Sequence, residues 1–96
     1  MHPADIIRAV SEETRIDARS LLDESGKAYY IARPRQLAML FIRERCGLSW
    51  QNISLEVNRA PSTVQYSYAA AKRRLEADIE YRDLYWRVSR RLGGHQ

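Results

Sequence analysis

Apolar positions along the chain recur at helical spacing in short runs, and the residues between the runs are ones that start and stop helices. Ile6, Ile7 and Val10 share one side of a segment opened by Pro3, which predicts a first helix to about Thr14, interrupted at Arg15-Ile16. Asp17 suits the cap of a short second helix ending near Leu22. Asp23-Glu24-Ser25-Gly26-Lys27 is polar, has no apolar period and contains Gly, so it reads as a loop. Pro34 fits a first helical turn and pushes Arg33 towards extended backbone. A third helix is therefore expected to start at Pro34, to continue through Leu37, Ala38, Phe41 and Ile42, and to end at Gly47. A last amphipathic helix carries Leu84, Val88 and Leu92 at i, i+4 and i+8, and residues 93–96 form a frayed, disordered tail. With no strand pattern, repeat or linker, residues 1–96 are expected to form one compact, all-α, multi-helix domain.

Residues 49–75 have the spacing of a helix-turn-helix. Ser49 can cap a helix whose apolar pair is Ile53 and Val57, and Asn58 stands where the turn needs a left-handed residue. Pro61 suits the first position of a second helix, whose Val64, Tyr68, Ala71 and Leu75 face inward. Such a motif lays its second helix in the major groove of DNA, N-terminal residues first. Ala60, Pro61, Ser62, Thr63, Gln65 and Tyr66 are left to face the bases. Among them Gln65 can pair with adenine, Ser62 and Thr63 accept several partners, and Tyr66 can pack on a thymine methyl. A plain helical hairpin inside a small bundle has the same spacing, so the pattern alone leaves both readings open.

Charge changes the balance between them. The net charge of +4 is modest, but residues 1–24 hold three basic and six acidic side chains, whereas residues 25–75 hold nine basic groups against Glu44 and Glu56 alone. The excess positive charge thus sits on the helix-turn-helix and its lead-in, as a phosphate-facing surface requires. Cys46 is the single cysteine, which excludes an internal disulfide and fits a reducing, cytoplasmic setting. No apolar run approaches the ~20 residues needed to cross a bilayer, and Met1 is not followed by a signal pattern, so no membrane partner is expected. His2 and His95 lie at opposite ends with no carboxylate or thiol at ligand spacing. No metal, cofactor, catalytic triad or small-molecule substrate is therefore expected, and an enzyme is the least favoured class. Arg87, Arg90 and Arg91 beside Tyr85 and Trp86 read as a solvated face or as a phosphate-contacting rim.

The string Ala32-Arg33-Pro34-Arg35-Gln36-Leu37-Ala38-Met39, followed by a helix-turn-helix, resembles the C-terminal DNA-binding domain, domain IV, of the bacterial replication initiator DnaA. The likeness in motif order runs over roughly residues 4–92. It implies a Trp-repressor-like helical fold and double-stranded DNA as partner. It also implies phosphate contacts from Arg33, Arg35 and Arg43, to which Gln36, Arg59 and Lys72 are added as expected phosphate contacts, with Ser62, Thr63, Gln65 and Tyr66 left to the bases. The family's recognition helix opens Gly-Arg-Asp-His-Thr-Thr-Val. Asn58-Arg59-Ala60-Pro61-Ser62-Thr63-Val64 keeps the Arg, the second Thr and the Val, but replaces the base-reading Asp and His with Ala60 and Pro61, which offer no side-chain hydrogen bond. In the loop where the family has a minor-groove arginine, only Lys27 stands near the expected place.

These residues contain no Gly-x-x-x-x-Gly-Lys-Ser/Thr phosphate loop, so the resemblance implies the DNA-binding domain without the ATPase. A regulator of replication or transcription is then expected, one that competes for sites, reads sites of its own, or occupies the initiator or its control machinery. An interaction module with little specific DNA binding is the reading favoured by the lost Asp and His. Sigma-factor region 4 and LuxR-type regulators have similar Gly-Leu-Ser and Ser-Thr-Val spacings, and the Arg-Pro-Arg-Gln string argues for the initiator domain instead.

Overall fold

The computed structural model describes residues 1–23 and 28–93. Expectations placed on Lys27, on most of the loop around it and on residues 94–96 lie outside the described residues. The elements are α1 (Pro3–Thr14), α2 (Ala18–Leu22), α3 (Tyr29–Cys46), α4 (Trp50–Val57), α5 (Pro61–Ala77) and α6 (Ile79–Arg91), and no strand occurs among the described residues.

Leu37, Ala38, Met39, Leu40, Phe41 and Ile42 are six consecutive buried residues of α3. A helix buried on every side is a central one. α3 accordingly packs against α1, α2, α4 and α5, and α5 makes its most extensive contact. The shared core adds Ile6 and Val10 from α1, Leu21 from α2, Ile53 and Val57 from α4, Val64 and Ala71 from α5, and Tyr81 and Val88 from α6. Removing each large apolar side chain from water contributes about 1.5–3 kcal/mol, so α3 anchors the fold. Tyr85 of α6 stacks on Phe41 at 4.8 Å between ring centroids. Arg45 donates to the buried Ser89 hydroxyl at 2.7 Å. Glu13 of α1 lies between Arg87 and Arg91 of α6, with Glu12 also paired to Arg91 at 2.9 Å. These ion pairs engage two of the three arginines considered for a phosphate rim in tying α6 to α1.

Helix ends follow local chemistry. Asp17 accepts from Ser20 N at 2.9 Å, Ser49 accepts from Asn52 N at 3.1 Å, and Gly47 is left-handed with φ 67°. The start of α3 differs from expectation. α3 begins at Tyr29, with Pro34 inside it, and Arg33 is helical rather than extended. Pro34 removes one donor, the amide that would bond the Tyr30 carbonyl, and this happens in the second turn beside the exposed Tyr30. There the loss is small against the bonds that Ile31 N and Ala32 N make to Ala28 O, both 2.9 Å.

Candidate nucleic-acid interface

The turn between α4 and α5 rests on one residue. Asn58 is left-handed, with φ 56° and ψ 49°, and its N–H and that of Arg59 both close on the Ser54 carbonyl. Asn tolerates that region better than other residues with a Cβ, because its short polar side chain bonds locally. Ala60 then holds extended N-cap geometry, and Pro61 begins α5 with no amide to leave unpaired. Val64 and Ala71 are fully buried and Tyr68 and Leu75 partly so, which turns Ser62, Thr63, Gln65 and Tyr66 to solvent.

Two arginines on this face are oriented by a helix end. Arg35 donates to Leu21 O at 3.3 Å and Asp23 O at 3.2 Å, and Arg59 donates to Leu22 O at 2.5 Å. α2 has only five residues, so its last carbonyls have no helical donors and carry the negative end of its dipole. Guanidinium groups from α3 and from the turn satisfy them. Burial first, and then the neighbouring Arg59 charge, pull Arg35 below the usual arginine range. At neutral pH the group keeps its charge.

Arg35, Gln36, Arg59, Ala60, Thr63 and Tyr66 line a groove of about 400 Å³ between the start of α3 and the start of α5. Three of the residues expected at phosphates and two of those expected at bases therefore meet in one place. Tyr66, 63% exposed, also borders a second depression that contains Arg33, Arg73 and Arg74. Gln36 accepts from Arg74 at 2.8 Å, which links the two depressions across α3 and α5.

Other expected residues lie elsewhere. Ser62 and Gln65 are exposed near the groove's edge without lining it. Arg43 donates to Leu48 O at 2.8 Å and stacks 4.1 Å above Trp50, so it fixes the α3–α4 turn. Lys72 pairs with Glu44 at 3.7 Å, and Glu44 also accepts from Tyr68 at 3.0 Å. Neither Arg43 nor Lys72 borders the two depressions. Arg73 and Arg74 were absent from the expected contacts, although the sequence carried a signal for Arg73: it lies seven residues after Tyr66, hence on the same face of α5.

The sequence matches the family described as the bacterial DnaA protein helix-turn-helix over residues 3–70. It is similar to chromosomal replication initiator protein DnaA 1 of Chlamydia trachomatis serovar D, with 34% identity over 76 residues, covering 79% of this chain and 16% of that protein. DnaA 1 of Chlamydia muridarum is 30% identical over 82 residues, covering 85% of the chain and 18% of that protein. The chain thus spans less than a fifth of the length of either initiator.

Proposed function

The chain belongs to the bacterial DnaA helix-turn-helix family, and on that premise we propose that it binds duplex DNA with the start of α5 in the major groove. Family membership decides against sigma region 4 and LuxR-type regulators. The observation that carries the reading is the groove itself: Arg35, Gln36 and Arg59 stand beside Thr63 and Tyr66 at the exposed first turns of α5. Positive charge held at a helix's leading end suits phosphates flanking a major groove, while Ser62, Thr63, Gln65 and Tyr66 supply the base contacts. Acting through these residues, the domain occupies DNA in the cytoplasm as a regulator of replication or transcription, with no catalytic step of its own.

A second reading, an interaction module that binds the initiator or its control machinery, rests on a specific feature. Ala60 and Pro61 occupy the leading positions of α5 and bring no hydrogen-bonding side chain to them. A salt titration of a mixed-sequence duplex separates the two. Under the DNA-binding reading, log affinity falls linearly with log salt, at about −0.9 per phosphate neutralised. A flat response, or no binding to duplex at low salt, leaves only the interaction module.

A further inference from the structure

The depression lined by Arg33, Tyr66, Ala70, Arg73, Arg74, Ala77 and Asp78 contains two arginines, Arg73 and Arg74, that have no role in the function described above. Three of the lining residues carry guanidinium groups. Arg73 is exposed and makes no hydrogen bond or ion pair among the described residues, and Glu76 in the following turn is not paired with it. The Arg33 side chain lies over the Tyr29 ring at 4.9 Å, while Tyr81 donates to the Arg33 carbonyl at 2.6 Å and so fixes the backbone that carries it. Arg74 is held by Gln36 and by the Tyr81 ring, 5.4 Å from its guanidinium carbon. The one acid in the lining, Asp78, accepts from Glu80 N at 2.9 Å and Tyr81 N at 3.3 Å, so its charge is directed at the α6 N-terminus. A concave surface with one unpaired and two prearranged cations has the chemistry of a polyanion site.

We propose that this depression is a second phosphate-binding site, which extends the nucleic-acid footprint along α5 past its leading turns to Arg73. The proposal rests on the DNA-binding reading and adds to it a contact outside the matched family segment, which ends at residue 70. The α5 residues that line the two depressions are centred about seven residues apart, or about 10 Å at the helical rise. One bound phosphate cannot fill both, so the fitting ligand is a continuous nucleic-acid backbone. Tyr66, on the rim shared by the two, lies over the interval between them.

The test is fluorescence titration of a labelled mixed-sequence duplex of about 30 base pairs against the intact chain and three variants, over a range of salt concentration. Arg73→Ala removes an exposed side chain that supports no other. Loss of one phosphate contact lowers the salt slope by about 0.9, which is about eightfold in affinity at 0.1 M salt and vanishes towards 1 M. Arg90→Ala removes the same charge from the exposed end of α6 and is expected to change affinity less than twofold. Arg35→Ala reports on the first groove. If Arg73→Ala leaves binding unchanged while Arg35→Ala weakens it, the second site is refuted and the DNA-binding reading stands. Equal losses for Arg73→Ala and Arg90→Ala reduce the effect to net charge and also refute the site. No binding by the intact chain refutes both.

Discussion

Asn58 sets the angle between the two helices of the motif from a backbone conformation that few side chains tolerate. Asn58→Gly should leave stability unchanged or slightly raised, whereas Asn58→Val should cost about 1–2 kcal/mol, seen as a lower urea midpoint at unchanged m-value. Equal midpoints for the two variants would show that the turn does not depend on this residue's conformation. Arg15, with φ 61° at the end of α1, is the only other non-glycine in that region among the described residues. Both positions were legible because a helix stop depends on a few neighbouring residues, and the same holds for Asp17, Gly47, Ser49 and Pro61. The tasks of the arginines were legible only in part. That Arg59 bonds the Leu22 carbonyl, 37 positions earlier, follows from where α2 docks, which no local pattern encodes. Arg35 is doubly engaged for the same reason. Arg35→Ala should weaken binding to all duplex sequences alike, with helicity checked by circular dichroism because the α2 carbonyls lose a donor. A changed base preference in that variant would remove Arg35 from the phosphate contacts.

Between elements, Tyr81 does more than fill the core. From α6 it bonds the Arg33 carbonyl and faces Arg74, so it joins α6 to the part of α3 and the part of α5 that form the basic surface. Burial pushes its phenol up to about 12, with Arg74 acting in the opposite direction. An acid group that holds its proton more tightly when folded stabilises the fold fully below its unfolded value, near 10, and loses that contribution as pH rises from there towards 12. Across that window stability should fall by about 1.4 kcal/mol per pH unit from this group. Tyr81→Phe should remove that dependence while costing about 1 kcal/mol at neutral pH for the lost hydrogen bond. An unaltered alkaline unfolding profile in the variant would place the titration elsewhere. The acid-side counterpart is Glu13, whose carboxyl is held below the usual range first by its hydrogen bond to Arg91, against burial, and then by Arg87. The tie between α1 and α6 is therefore lost only as pH falls beneath the ordinary carboxylate range. Neither link was visible in the order of residues, since each joins helices far apart along the chain. The early start of α3 escapes the sequence pattern for a different reason: Pro34 marks a helix start by local rules, yet a proline in the second turn removes only one exposed bond.

At the scale of the whole molecule, the sign of the charge is distributed in the way the fold uses it. Acidic side chains of α1 meet arginines of α6 on one side, and Arg33, Arg35, Arg59, Arg73 and Arg74 line two depressions on another. Under the proposed function these arginines supply affinity, and selectivity falls to the leading turn of α5. There the chain has Ala60 and Pro61 where the family it belongs to has Asp and His. The domain should accordingly bind the initiator's own recognition box less tightly than an initiator domain does, since each lost bidentate base contact costs about 1–3 kcal/mol. Ala60→Asp together with Pro61→His tests this directly. Ala60 already holds the extended geometry of an N-cap, with no side chain to accept from the first turn, so Asp at that position should stabilise α5 by about 1 kcal/mol. Replacing Pro61 gives back up to about 1 kcal/mol through the freed backbone, which leaves the fold's stability nearly level. A change in discrimination between the box and a scrambled duplex can then be attributed to base readout. We expect the double variant to favour the box by at least tenfold more than the unmodified chain does. If the unmodified chain already selects the box as well as an initiator domain, then Ser62, Thr63, Gln65 and Tyr66 read it without the Asp and His, and the domain's specificity is the family's own.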